Sequence, residues 1–195
     1  QNFINTANNK KVKLFIALPI RTNPEFVEYL SAKEIQGAIE LRLIGDIYGP
    51  QQDMHKKTNN PFLNLIAQAY LTDKIIMEDE GLAPIYPAYI TDVVNSLIRF
   101  DHQNSRHIEF IVSDSPATSL SVSYELQNQA TLLLGKSIGL FFSGSQPQVK
   151  SHDHAQVKLS HISSGERVNL AQGLKETLSN VQVMPPITQT TPYVK

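Results

Sequence analysis

Short apolar runs alternate along the chain with stretches whose apolar residues recur at helical spacing. Val12-Lys-Leu-Phe-Ile-Ala-Leu-Pro19 is rich in strand formers and stops at a proline, which predicts a buried first strand with a loop at its end. The next stretch fits more than one pattern: Asn23-Pro-Glu can open a helix through Phe26, Tyr29 and Leu30, while residues 38–47 fit either helix or strand. Asn60-Pro61 predicts the cap of a helix over residues 62–80, with Leu63, Ile66, Ala67, Tyr70, Ile75 and Met77 as its apolar surface and Gly81 as its end. Leu82-Ala-Pro-Ile-Tyr-Pro-Ala-Tyr-Ile90 reads as a second strand, and Thr91-Asp92 as the cap of a helix that puts Val93, Val94, Leu97 and Ile98 on one face. His107-Ile-Glu-Phe-Ile-Val-Ser-Asp114 is the third strand, followed by a polar turn and a helix on Leu120, Tyr124, Leu126, Ala130 and Leu133 that ends at Gly135-Lys136. Ser137-Ile-Gly-Leu-Phe-Phe142 is the fourth strand, residues 144–155 a polar loop, residues 156–162 a fifth strand and residues 164–178 a last helix.

Strands alternating with helices imply an α/β fold of flavodoxin-like (Rossmann-like) type, with a mostly parallel five-stranded sheet and helices on both faces. The expected organisation is a single domain over residues 1–181, with an insertion near residues 23–60, and a Pro/Thr-rich tail over residues 182–195. No internal repeat is visible.

Composition narrows the class of partner. The 195 residues are 41% hydrophobic and 18% charged, enough apolar material for one sizeable core, and the formal net charge is -1. No basic block favours nucleic acid or a membrane surface, so a small neutral or weakly anionic ligand is expected. Zero cysteines remove disulfides, zinc-thiolate sites and cysteine nucleophiles, in keeping with a reducing, cytoplasmic setting. Residue 1 is Gln, so a processed, trimmed or longer parent chain is expected.

In open parallel sheets, ligands lie beyond the carboxyl ends of the strands, where helix N-termini aim their N–H groups. Three segments are expected to converge there: Pro19-Ile20-Arg21-Thr22, Pro87-Ala-Tyr89, and residues 114–125. Position alone makes Glu125 an ordinary glutamate near a helix start. The segment Ser119-Leu-Ser121-Val-Ser123-Tyr-Glu125-Leu126, followed by Ala130, Gly135-Lys136 and an apolar strand, resembles the active-site segment of the nucleoside 2-deoxyribosyltransferase and 2'-deoxynucleoside 5'-phosphate N-hydrolase superfamily. The opening run Leu14-Phe-Ile-Ala-Leu-Pro-Ile20-Arg21 is similar to that family's first strand and substrate loop. Residues 104–114 with Tyr124-Glu125-Leu126 also resemble the TIR domains, some of which hydrolyse NAD.

The resemblance implies an N-glycosidase or deoxyribosyltransferase acting on the C1'-N bond of a nucleoside, nucleotide or NAD. Glu125 is then the catalytic carboxylate, and Asp114, His107 and Tyr89 are candidates to assist the departing base, Asp114 first among them. A carboxylate suits this chemistry because loss of the base develops positive charge at C1'. Pro19, Ile20, Arg21, Tyr89, Ser119, Ser121 and Ser123 are the expected substrate-binding residues, with serine hydroxyls standing where relatives often carry glycine. No metal and no cofactor are expected, and a homodimer or higher homo-oligomer is. A TIR-like NAD hydrolase and a non-catalytic nucleotide-sensing or protein-interaction module are the alternatives.

The remaining polar clusters are weaker. His152-Asp153-His154 with His161 has metal-ligating residue types but reads as a solvated loop, and Glu78-Asp79-Glu80 as a solvated run before Gly81. Arg21 fits a phosphate clamp and a surface ion pair equally. Tyr86 and Tyr89 suit either stacking on a base or packing at a strand end. Ser143-Gly144-Ser145 is either a ligand contact or a turn.

Overall fold

In the computed structural model, the described residues are 14–32, 39–98, 108–111, 117–144 and 167–181, with Thr6 and Asn9 near the start. The elements in chain order are β1 (Leu14–Pro19), α1 (Pro24–Ala32), β2 (Ile39–Ile44), β3 (Asp46–Tyr48), α2 (Pro61–Leu71), β4 (Lys74–Met77), a short turn of 3-10 helix (Asp79–Gly81), β5 (Pro84–Ile85) and β6 (Pro87–Tyr89). They continue with α3 (Ile90–Ile98), β7 (Ile108–Ile111), β8 (Ala117–Thr118), α4 (Ser119–Leu134), β9 (Gly139–Phe142) and α5 (Leu170–Ser179). The architecture is α/β with mainly parallel pairing, as the alternation of patterns implies.

Strand β2 is central in a three-stranded parallel sheet, β1-β2-β7. Its residues alternate between two helix-covered faces, as strand geometry requires. Leu41 and Leu43 pack with Ile20, Val27 and Leu30, the last two from α1. Arg42 points to the other face, where its Nη1 donates to Ser96 Oγ of α3 at 3.3 Å and its guanidinium lies 5.0 Å from the Phe15 ring centroid. The parallel pairs β3-β6 and β4-β9 and the antiparallel pair β5-β8 complete the described pairings. The larger core lies among α2, α4 and α5, around Phe62, Ile66, Ile75, Met77, Val122, Leu126 and Leu174.

Several sequence expectations change in detail. The helix expected over residues 62–80 ends at Leu71, and Lys74–Met77 is a strand. Ile75 and Ile76 are β-branched and find Leu140 and Phe141 opposite them, and this pairing outweighs a helical spacing that could have run on from Tyr70. At its start, α2 is capped as expected: Asn60 Oδ1 accepts from the N–H groups of Phe62 and Leu63 at 3.0 and 3.1 Å. Gln68 Oε1 accepts from the Ile76 N–H at 2.8 Å, so the side of β4 away from β9 is met by a side chain.

The expected single strand over residues 82–90 is two short ones, and α3 begins at Ile90. The expected insertion at residues 23–60 holds α1, β2 and β3 and so supplies the central strand. Of the third strand only Ile108–Ile111 is described, and the last helix is described over Leu170–Ser179. Asp114, His107, the histidines at 152, 154 and 161, the fifth strand and the tail lie outside the described residues.

The turn after β4 takes three left-handed residues in succession, Asp79, Glu80 and Gly81, with φ of 50°, 53° and 79°. At Gly81 a Cβ would lie 2.8 Å from Leu120 Cβ, so close approach as well as backbone angle selects glycine there. Gly173 in α5 answers to packing alone. A Cβ at that position would lie 2.9 Å from Cζ and 3.0 Å from Cε2 of Tyr48, a ring 1% exposed and held edge-on by Phe62 and Tyr89 at 4.9 and 5.4 Å. With the ring unable to retreat, Gly173→Ala is expected to cost about 1–3 kcal/mol through overpacking. A thermal melt should show a midpoint roughly 2–4 °C lower per kcal/mol, and an unchanged midpoint would refute this packing argument.

Candidate functional site

The rim beyond β1 is built by an ion pair. Arg21 Nε and Nη2 donate to Asp46 Oδ1 and Oδ2 at 3.2 and 2.9 Å, and Nη2 also donates to the Pro84 carbonyl at 2.9 Å. Asp46 is 5% exposed, and its Oδ2 accepts from the Tyr86 N–H at 2.9 Å, while its own N–H donates to the Tyr86 carbonyl at 2.6 Å. The Arg21 guanidinium also lies 5.5 Å from the Tyr86 ring centroid. Of the two roles considered for Arg21, the ion pair is the one formed: its fork holds a protein carboxylate. Ile20 is buried in the core beneath it, and Pro19 is exposed.

Tyr89 is not a free stacking platform. It is 4% exposed, packs against Tyr48, and its hydroxyl donates to Glu176 Oε2 of α5. Burial foremost, then the hydrogen bond and charge of Glu176 and the charge of Asp92, push the Tyr89 phenol up to about 12. Tyr48 is raised as well, mainly by burial. The hydrogen bond from Tyr89 and a second from Gln172 Nε2 at 2.6 Å hold the Glu176 carboxyl below its ordinary value. Asp92 Oδ2, in the first turn of α3, accepts from the Val168 N–H at 3.1 Å, a second tie to the segment that leads into α5.

The serines on α4 divide by position. Ser121 belongs to the helix cap: Thr118 Oγ1 accepts from the Ser121 N–H and Ser121 Oγ accepts from the Thr118 N–H, a reciprocal box. Ser119 and Ser123 lie on the buried face with Val122, Leu126 and Ala130. Glu125 sits two turns into the helix, half-buried, and its Oε1 accepts from Gln129 Nε2 of the same helix at 2.9 Å. The structure therefore brings Arg21, Asp46 and Tyr86 together, and separately Tyr89 with Glu176, while Glu125 stays with its own helix.

Sequence reasoning did not find Asp46 or Glu176; it did mark Gly49-Pro50 as a turn and Asp53, His55 and Lys56 as surface residues of the loop that follows β3. That loop starts at Gly49-Pro50, buries Met54, and leaves His55, Lys56 and Lys57 exposed just before the start of α2. Asp53 folds it, with Oδ1 accepting from the His55 N–H at 3.0 Å. Among the described residues no group of three His, Asp or Glu side chains is placed to hold a metal ion, and no helix is long and apolar enough to cross a membrane.

No protein-family model matches the sequence, and no curated protein does. Solved structures do match. An NAD-dependent NDP-hexosamine 5,6-dehydratase involved in tunicamycin biosynthesis superposes with a TM-score of 0.61 at 13% identity, over 90% of this chain and 65% of that one. A UDP-glucose 4-epimerase from Thermotoga maritima, solved with UDP-glucose, gives 0.59 at 14% identity, over 91% and 66%. A UDP-glucuronic acid 4-epimerase from Bacillus cereus, solved with a fluorinated UDP-glucuronic acid and NAD, gives 0.60 at 16% identity, over 92% and 64%. The chain thus spans about 65% of the length of the first of these.

This likeness bears out the expected Rossmann-like α/β fold. It also overturns the expectation of an N-glycosidase or deoxyribosyltransferase built on Glu125, and the TIR-like variant with it: the matching backbones are those of NAD-dependent dehydratases and epimerases acting on nucleotide sugars. An eight-residue motif on one helix fixes local spacing only, whereas the structural match rests on how the strands and helices are arranged over nine-tenths of the chain.

Two consequences are measurable. Asp46→Asn removes the charge from a buried carboxylate that joins three segments, and is expected to cost about 1–2 kcal/mol, at the low end because Arg21 is 36% exposed. Denaturant unfolding of the variant at neutral pH checks this. The raised Tyr89 phenol makes its contribution to stability complete below its ordinary value near 10, and lost as pH rises from there through about 12. The lowered Glu176 carboxyl contributes above the ordinary carboxylate range, and that part is lost on acidification. Tyr89→Phe should therefore flatten both limbs of the stability–pH profile, the alkaline limb only in part because Tyr48 still titrates; a profile parallel to wild type would contradict the assignment.

Proposed function

We propose that this chain binds a nucleotide sugar, as a unit of a dehydratase- or epimerase-like enzyme of Rossmann type. The observation that carries the reading is the backbone likeness over about nine-tenths of the chain to proteins named for dTDP-glucose, UDP-glucose and UDP-glucuronic acid. The diphosphate of such a ligand is anionic, and the exposed Lys56 and Lys57 ahead of α2 are suited to meet it.

The ligand favoured for this chain is the nucleotide sugar rather than NAD. Close approach of backbone to a dinucleotide pyrophosphate uses a Gly-x-Gly-x-x-Gly turn, and the nine glycines of the sequence include no such triplet. The turn after β1 is built from Pro19, Ile20, Arg21, Thr22, Asn23 and Pro24, with the Arg21 side chain already bound to Asp46.

Calorimetric titration with UDP-glucose, UDP-glucuronic acid, dTDP-glucose and NAD tests the reading. Saturable heat is expected with at least one nucleotide sugar, and Lys56→Ala/Lys57→Ala should weaken that binding several-fold, more so at low salt. A folded chain that gives no saturable heat with any of the three would overturn it.

A further inference from the structure

Ser119 and Ser123 are 4% and 0% exposed, and neither Oγ has a hydrogen-bond partner within the protein. They stand one helical turn apart at the start of the buried face of α4, in line with Leu126 and Ala130. A buried hydroxyl without a partner is costly, and two on one face compound the cost. Neither is occupied in capping, because Thr118 and Ser121 form the box that starts the helix. Ser119 is further fixed by its own N–H, which donates to the Ala83 carbonyl at 2.8 Å.

We infer that Ser119 and Ser123 form a binding site for one internal water molecule, which bridges the two hydroxyls between α4 and the segment entering β5. The dimensions agree: residues at this helical spacing have Cβ atoms roughly 5–6 Å apart, and a water about 2.8 Å from each of two oxygens spans a similar distance. The Ala83 carbonyl accepts one N–H and keeps a second lone pair beside Ser119, which supplies the third partner that internal waters ordinarily have. The bridge explains why a face otherwise made of Val122, Leu126 and Ala130 carries two hydroxyls, and it ties the first turns of α4 to the strained turn at Asp79–Gly81 through residue 83.

The test is a thermodynamic cycle of Ser119→Ala, Ser123→Ala and the double variant, read by urea unfolding. A shared water predicts that each single variant lowers the midpoint, and that the double variant falls clearly short of the sum, since either substitution already removes the bridge. A midpoint that rises or stays put in the single variants would mean unpartnered hydroxyls, and fully additive losses would mean independent partners; both overturn the inference. Water-to-amide cross-relaxation in the wild-type protein gives a second readout that needs no variant to fold. A long-lived water signal at the amides of residues 119–123 is expected, and its absence would also overturn the site.

Discussion

The carboxylate of Asp46 joins three parts of the chain at one point. It receives Arg21 from the end of β1, sits itself at the start of β3, and accepts the N–H of Tyr86 between β5 and β6. Burying a charge is unfavourable unless it is paired and hydrogen-bonded, and here each oxygen has a donor. The pairing lies where β3 leaves the three-stranded sheet and β6 runs beside it, in the register Asp46 opposite Pro87 and Tyr48 opposite Tyr89. That register places the Tyr48 and Tyr89 rings together against α5.

What was legible in the sequence is what local physics determines. Helix α4 has both ends written in it: Thr118 and Ser119 at the start, and Gly135 at the end, which adopts φ 64° as the left-handed cap. Asn60-Pro61 marks the start of α2 for the same kind of reason. Strand β4 was hidden because its justification lies 65 residues away, in the facing strand Gly139–Phe142, while its own apolar residues continue a helical spacing. The partners of Arg21 and Tyr89 were hidden likewise, at separations of 25 and 87 residues. Side-chain types announced that these residues would form polar contacts, but only the folded arrangement decided with what.

The misreading of function has the same origin. Glu125 lies on a helix at the spacing a catalytic glutamate would have in another α/β family, and a helix preserves spacing whatever sheet it covers. In this protein Glu125 spends one oxygen on Gln129 of its own helix. The Arg21–Asp46 clamp and the Tyr89–Glu176 bond, by contrast, are polar contacts that span elements.

The side-chain amide of Gln68 has a consequence beyond the strand it touches. Among the described residues β4 pairs with β9 alone, and the pair shows solvent Ile76, Phe141 and Phe142, each about half exposed. Such a surface invites a foreign β-strand to add alongside and propagate into an aggregate. With the Ile76 N–H already given to Gln68, an incoming strand finds that donor taken and a helix side chain in its path. The amide thus blunts that edge of β4 at Ile76 without placing a charge or a proline on it.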